Sequence, residues 1–197
     1  LRAYASAIGL SNTYMSKLGT ANTNWQGQIY RAAISTDHNI SITGGTKNMP
    51  YRASIGYTLG NGIIKTSQMQ RVTAAINLSP SFFDKHLNIN FNAKGLYIHN
   101  SYPAGVVGSA LSMDPTLPIK GGATNIYGEE YFSKDAMDKF FGGYNQPTTG
   151  ANYNDPEWTL TFDPNTTNNP VAALNQQSSI ANSGAFLGNL ELDYQIH

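Results

Sequence analysis

Side chains able to carry covalent or metal chemistry are sparse in this chain of 197 residues. It has four histidines and no cysteine, which removes disulfides and thiolate metal sites from consideration. His38, His86 and His99 lie in or beside predicted strands, and together with His197 they show no ligand spacing relative to one another. We therefore predict no metal site and no cofactor.

Carboxylates and small nucleophiles form no catalytic pattern either. Glu129 and Glu130 are adjacent, so in an extended segment their side chains diverge. The Asn/Asp-rich stretch 152–169 offers oxygen ligands for Ca²⁺ but lacks the ligand order of an EF-hand, so a solvated loop is the simpler interpretation. Nucleophile elbows and phosphate-binding glycine loops are absent from the sequence. We predict no catalytic residue, and therefore no enzyme.

The charge balance argues against nucleic acid as a partner. Twelve basic and twelve acidic side chains give a formal net charge of zero, so no basic excess exists to displace counterions. Charged residues make up 12% of the chain, about half of the ~25% usual for globular domains. Asparagine is abundant instead, with 21 copies, which predicts a surface that is polar but largely uncharged.

The clearest structural pattern is an alternation of apolar and hydrophilic residues in five segments. The segments are His38–Gly44, Tyr51–Gly60, Arg71–Ser79, Leu87–Tyr97 and Phe186–Ile196. A period of two predicts strands with one apolar and one hydrophilic face, and most segments approach the ~9–11 residues of a tilted membrane strand.

The connections between these segments alternate in length. Gly45–Pro50 and Pro80–Lys85 are short turns, the connection that opens at Asn61-Gly62 is of medium length, and 101–182 has no strand-like alternation. Outer-membrane barrels have short turns on the periplasmic side and long loops outside. We predict the all-β class, as a partial antiparallel transmembrane β-barrel with short helices in long extracellular loops.

Helical patterns occur only outside the five segments. They cover 25–33 after a capping Asn24, 105–113, 134–141, and a stretch from Asn169-Pro170 to about Gln177. Asparagine is favoured at an N-cap because its side chain accepts a free backbone N–H, and proline suits the first helical position because its own N–H is missing.

A soluble antiparallel sheet alternates in the same way, so alternation alone leaves two architectures open. Three observations favour the membrane: the loop asymmetry, tyrosines at or near the strand ends, and hydrophilic faces rich in Asn, Ser and Thr rather than Lys and Glu. The alternative is a soluble β-sandwich, as a carbohydrate-binding or adhesin module. It predicts a second sheet that buries Ile55, Ile76, Ile89 and Leu190 in a dry core.

The predicted organisation has four parts. Residues 1–37 form an extracellular loop segment with short helices, 38–100 four antiparallel barrel strands, 101–182 a long extracellular loop, and 183–197 the fifth strand. Five strands are too few to close a barrel around the bulky loops of this chain, and both chain ends look cut. We therefore predict a fragment of a larger protein.

The residues do offer surfaces for recognition. Trp158, Tyr153 and Tyr144 are expected to be exposed, because polar residues, Pro or Gly surround them. They are candidate ligand-binding rings, since aromatic faces stack on sugars or peptide side chains. Packing inside the loop's own core is the other interpretation of these rings. Five charged residues are expected to point into the lumen, toward a plug or a solute, or to form a charge ladder that hydrates the wall: Arg52, Arg71, Lys94, Glu191 and Asp193.

A set of short segments resembles the SusC/RagA-type TonB-linked outer-membrane transporters. The segments are Asn24–Arg31, His38–Lys47, Tyr51–Tyr57, Asn61–Lys65, Arg71–Leu78, Met113–Pro118 and Pro170–Ala172. Their specificity lies in the set rather than in any one piece, and the similarity covers the chain from about Asn24 onward.

This resemblance implies a barrel of about 22 strands plugged by an N-terminal domain. It implies an outer-membrane protein that contacts the lipid bilayer and imports oligomeric nutrients, such as an oligosaccharide or peptide solute. Import would be driven by the TonB complex through parts outside this chain, with a SusD-like surface lipoprotein as a lid. In this interpretation 1–33 belongs to the first extracellular loop, and the five strands are barrel strands two to six.

Overall fold

The computed structural model describes residues 2–9, 18–124, 130–132, 134–145, 148–149, 161–162 and 168–196. The chain divides into two compact units. We name Leu1–Arg31 with Pro103–Ser178 the helix unit, and Ala32–Tyr102 with Ser179–His197 the sheet unit.

Ten strands are described along the chain. They are β1 (Thr36–Thr46), β2 (Met49–Asn61), β3 (Gln68–Leu78), β4 (Ser81–Phe82), β5 (Leu87–Tyr102), β6 (Ala123–Thr124), β7 (Glu130–Phe132), β8 (Thr148–Thr149), β9 (Thr161–Phe162) and β10 (Ser179–Tyr194). The main sheet has the order β1-β2-β3-β5-β10, with β4 paired to β5, and all of its pairings are antiparallel. The predicted antiparallel sheet with few short helices is confirmed.

The register of the main sheet explains why this sequence selects it. Ile55 lies opposite Ile40 on β1 and Ala74 on β3, while its neighbour Ser54 lies opposite Ser41 and Ala75. A slip by one residue would move each apolar side chain of a strand to the hydrophilic face, so the alternating pattern specifies the pairing.

The strands are longer than the alternation predicts. β1 begins at Thr36 rather than His38, and β10 begins at Ser179 rather than Phe186. The first residues of β10 lack the apolar alternation, but Ser179 to Ala185 pair with Tyr102 to Leu96 of β5, and this backbone ladder extends the strand.

The tight turn between β1 and β2 needs a glycine. Gly45 has φ +138°, and a Cβ at this position would lie 2.3 Å from the Met49 carbonyl oxygen. A larger side chain would collide with backbone that cannot move without breaking the first pairs of the hairpin.

Five helices are described, all in the helix unit: α1 (Arg2–Ala7), α2 (Trp25–Ile29), α3 (Val107–Ser112), α4 (Lys134–Phe141) and α5 (Pro170–Gln176). The Asn24 side chain accepts a hydrogen bond from the Gly27 N–H at 2.9 Å, which confirms the predicted cap. Among the described residues, no helix has the length and apolar character needed to cross a bilayer.

A small core holds the helix unit together. Trp25, at 3% exposure, donates its indole N–H to the Asp114 carbonyl at 2.8 Å. The other buried hydrophobic residues of this unit are Ile29, Val106, Ala110, Met113, Leu117, Tyr144, Ala172 and Leu174.

Two short antiparallel strand pairs, β6-β7 and β8-β9, lie within the stretch 101–182, which was predicted to lack strands.

Asn169 joins three parts of the helix unit. Its fully buried side chain accepts hydrogen bonds from the Val171 and Ala172 amides, which confirms the predicted N-cap. The same amide group donates to the Ile119 carbonyl at 3.1 Å and to the Asn145 carbonyl at 2.8 Å. The residue that caps α5 therefore also holds the backbone at Ile119 and at Asn145.

Candidate functional site

The main sheet presents one apolar face, and large apolar side chains on it are exposed. Ile55 is 56% exposed, Ile76 38% and Leu190 61%, while Ile89 is half-buried. Within the described residues these four do not form the dry inter-sheet core that a β-sandwich requires. Several large apolar side chains exposed together on one face mark a surface that contacts protein, ligand or membrane.

Aromatic side chains lie in a row near each end of this apolar face, and Tyr51, Phe91 and Phe186 lie on the same face between those rows. Tyr57 and Tyr97 lie in one row, both opposite Val72 of β3. Phe82 and Tyr194 lie in the other, both opposite Leu87 of β5. Tyr97 and Leu87 are separated by ten residues on one strand, which corresponds to about 34 Å.

The opposite face is mainly hydrophilic, although Leu96, Ile98 and Leu187 also lie on it, and it carries all five charged residues that the sequence singled out. Arg52 lies opposite Asn77, and Lys94 lies opposite Ala75. Glu191 and Asp193 lie opposite Asn90 and Asn88. In the described part of the sheet, Arg52, Lys94, Glu191 and Asp193 form no ion pair.

Arg71 is held in a polar cluster on the hydrophilic face that the alternation did not reveal. Its Nη2 donates to Thr58 Oγ1 at 3.2 Å, and Thr58 Oγ1 donates to Asp37 Oδ2 at 2.5 Å. The Arg71–Asp37 ion pair itself is long, at 3.9 Å. Finding this cluster from sequence would have required the register of β1, β2 and β3, which places Asp37, Thr58 and Arg71 in one row.

The hydrophilic face contains an open cavity of about 580 Å³. Its polar lining consists of amides, hydroxyls and one ammonium: Asn39, Ser54, Thr73, Asn77, Asn92, Asn189 and Lys94. Amides offer both donors and acceptors, and Ala75, Ala93 and Leu187 add apolar surface, so this wall combines hydrogen-bonding groups with apolar contacts. Carboxylates do not occur among the residues that line it.

Tyr144, one of the three candidate ligand-binding rings, is only 7% exposed, so the expectation that it is exposed is wrong. Lys120 covers the ring, with its Nζ 4.3 Å from the ring centroid, a distance typical of a cation–π contact. A backbone bridge between Lys120 and Tyr144 positions the two residues. Trp158 and Tyr153 lie outside the described residues, and their role remains a prediction.

Comparison with known proteins gives a consistent set of relatives. No protein-family model matches the chain. The chain is 45% identical to "TonB-dependent receptor SusC" of Bacteroides thetaiotaomicron, over its whole length. It is 27% identical to "TonB-dependent receptor P26" of Formosa agariphila over 88% of the chain, and 29% identical to "TonB-dependent receptor P3" of the same organism over 39%. The chain spans 18% of the length of SusC, 14% of P26 and 8% of P3.

Proposed function

We propose, from the premise that this chain belongs to the SusC/RagA type of TonB-dependent receptors, that it forms wall strands and extracellular loops of an outer-membrane importer. The imported solutes are oligomeric nutrients, glycans or peptides. The chain takes part by forming a wall and a binding surface, without covalent chemistry.

The exposed apolar face of the sheet carries this proposal. Lipid hydrocarbon covers such a face without the desolvation cost that water would impose, since apolar area is favoured out of water. With a strand tilt of about 40°, the 34 Å between the two aromatic rows corresponds to about 26 Å along the membrane normal. The apolar band of outer-membrane barrels is about 25 Å tall, with aromatic girdles at both edges.

The two edges of the sheet support a role within a larger barrel. β1 and β10 are the two edge strands of the described sheet. Among the described residues, β1 pairs only with β2, and β10 pairs only with β5. Lipid offers no hydrogen bonds, so the free backbone groups of these 11- and 16-residue strands need further strands as partners. We place those strands in parts of the receptor beyond this chain.

The hydrophilic face then lines the barrel interior. Arg52, Arg71, Lys94, Glu191 and Asp193 point toward the plug or the passing solute, and the amide-lined cavity keeps the wall hydrated. The loop 101–182 is extracellular in this proposal and contributes to the solute cavity or to contact with a SusD-like lipoprotein. The TonB complex acts through parts outside this chain.

Membrane fractionation and uptake by the full-length receptor test the proposal. We expect the receptor to stay in the outer-membrane fraction after a carbonate wash, which strips peripheral proteins. We also expect deletion of its gene to abolish uptake of a labelled oligosaccharide or oligopeptide, and a protonophore to abolish uptake in the wild type. Release as a soluble monomer by carbonate, or uptake unaffected by deletion across both solute classes, would refute it.

A further inference from the structure

Three asparagines form a ladder across the hydrophilic face of the sheet. Asn77, Asn92 and Asn189 lie in one register row on the neighbouring strands β3, β5 and β10, with about 4.8 Å from strand to strand. Their side chains are exposed and form no hydrogen bond within the part of the chain that the structure describes. Each amide therefore offers a carbonyl acceptor and an NH₂ donor to a molecule in front of the wall.

Lys94 lies beside this ladder, two residues from Asn92 on the same face of β5. It is the only charged residue among the described residues that line the cavity of about 580 Å³. Its cross-strand neighbours are Ala75 on one side and Leu187 on the other. Because Ala75 is short, space remains next to the Lys94 ammonium, and Leu187, at 66% exposure, adds an apolar side to that space.

No carboxylate of the described sheet neutralises Lys94. Glu191 lies one strand away and four residues along, which places its Cα about 14 Å from that of Lys94. This separation exceeds the Debye length of about 8 Å at physiological ionic strength. Arg52 lies nearer, at about 12 Å, and Asp37 is already engaged in the polar cluster with an arginine. The charge in front of the ladder is therefore positive.

We propose that the asparagine ladder and Lys94 form a binding subsite for an acidic oligosaccharide. The Lys94 ammonium donates to the carboxylate of a uronic acid unit, and the ladder amides pair with ring hydroxyls. The inference rests on the proposed function, because it specifies the imported solute as a glycan that carries carboxylates.

The chemistry of the cavity favours an acidic glycan over the other solutes of an importer. A neutral glycan would displace water from the Lys94 ammonium without supplying an anion, whereas a carboxylate replaces that water with a charge-assisted hydrogen bond. A peptide carries a terminal ammonium as well, and no carboxylate occurs among the described lining residues to receive it. Sugar hydroxyls donate and accept as amides do, and the C–H side of a sugar ring suits Ala75 and Leu187.

Uptake by cells that carry the full-length receptor as their only importer of the probes tests this subsite. The probes are short labelled oligomers of galacturonate, glucuronate and mannuronate. Each is compared with its own carboxyl-reduced form, in which the carboxylate has become a primary alcohol and the ring stereochemistry is unchanged. The KM for uptake is measured, and the amount of assembled receptor in the outer membrane is determined for every variant.

Four variants separate charge from structure. Lys94→Met removes the ammonium, Lys94→Arg keeps a cation, and Asn92→Asp places a carboxylate beside Lys94 with little change in shape. Lys47→Met is the matched control, because Lys47 is an exposed lysine on the β1-β2 turn and does not line the cavity. If Lys94→Met fails to assemble, Asn92→Asp still tests the role of charge.

We expect wild-type uptake of at least one uronate oligomer with a KM at least about tenfold below that of its reduced form. Lys94→Met and Asn92→Asp should raise the uronate KM by about tenfold or more and the KM of the reduced form by less than about twofold. Lys94→Arg should restore most of the affinity for uronate, and Lys47→Met should behave as wild type.

Three results would overturn the subsite. Equal effects of Lys94→Met on the uronate and reduced forms would show that Lys94 contacts another part of the receptor rather than the solute. Wild-type uptake of reduced oligomers or oligopeptides in preference to uronates would refute the acidic glycan and leave the proposed importer standing. Uptake of no oligosaccharide or oligopeptide would contradict both proposals.

Discussion

Replacement of Asn169 tests how one side chain orders the helix unit. Asn169→Ala removes the capping oxygen, which costs about 1 kcal/mol. It also leaves the Ile119 and Asn145 carbonyls without their donor, at about 1 kcal/mol each. The sum, about 3 kcal/mol, corresponds to an increase of more than about 100-fold in local opening of α5.

Hydrogen exchange followed by mass spectrometry measures this opening in the full-length receptor. The reporter is the peptide containing the α5 amides, such as Ala173 and Gln177, which donate to the Asn169 and Ala173 carbonyls. Asn169→Ser separates the two contributions, because it keeps a capping oxygen and loses the amide donor. We expect Asn169→Ser to lower the free energy of opening α5 by about 2 kcal/mol, which corresponds to roughly 30-fold faster exchange.

Asn175→Ala is the matched control on the same helix. Asn175 is exposed, and its side chain donates to the Val171 carbonyl of the same helix at 2.8 Å. Its replacement should change the free energy of opening by less than about 0.5 kcal/mol. Acceleration below about tenfold for Asn169→Ala, or wild-type exchange for Asn169→Ser, would refute the assignment of Asn169 as the joint of this unit.

Three further variants test local features of both units. Gly45→Ala should lower the amount of assembled receptor in the outer membrane, because the added Cβ would approach the Met49 carbonyl oxygen to 2.3 Å. Trp25→Phe should accelerate amide exchange around α2, since it leaves the Asp114 carbonyl without its indole donor at a cost of about 1–2 kcal/mol. The Lys134 ammonium donates a hydrogen bond to Asp138, and this bond raises the pKa of Lys134 above its ordinary value. Asp138→Asn should therefore lower the pKa measured by competitive acetylation of Lys134.

Each of these variants has its control or its refuting result. Gly108→Ala is the control for Gly45, because a Cβ at Gly108 would meet nothing within 4 Å, and it should stabilise α3 by about 0.5–1 kcal/mol. Unchanged exchange around α2 in Trp25→Phe would refute the role of the indole hydrogen bond. Since the Lys134 pKa is raised, stabilisation by the ion pair should be present at neutral pH and decrease as the pH rises through that pKa. An unchanged pKa in Asp138→Asn would contradict this origin of the shift.

Local patterns predicted the sheet well because its determinants are local. The alternation at Tyr51 to Gly60 sets which side chains share a face, and the short turns set the β1-β2 and β3-β5 pairs. The face of Arg52, Arg71, Lys94, Glu191 and Asp193 followed from the same alternation. Where a strand extends beyond its alternating segment, as β10 does at Ser179, only the partner strand determines its end.

Features that depend on distant residues were not predictable from one sequence. Polar residues, Pro and Gly near Tyr144 indicated an exposed ring, but pairing with Lys120, 24 positions earlier in the chain, buries it. Phe83, Asp84 and Lys85 have positive φ values of +53°, +50° and +73°, and since only Asp84 is of a type that tolerates this region, the sequence contains no clear indication of the run. Asn169 was identified as a cap, yet its bonds to Ile119 and Asn145 appear only in the folded unit.

Nitroxide scanning of the main sheet tests the central claim most directly. The sequence contains no cysteine, so one cysteine at a time can be introduced in this segment and labelled. The labels are placed at neighbouring residues that lie on opposite faces of the sheet, such as Ser54 with Ile55 and Asn77 with Ile76. In the full-length receptor in bilayers, we expect labels at Ile55 and Ile76 to collide with oxygen and not with a water-soluble nickel chelate. Labels at Ser54 and Asn77 should not collide with oxygen in preference to the chelate. Labels at Ile55 and Ile76 shielded from both reagents, as in a protein-covered core, or reached by the nickel chelate, would contradict the account.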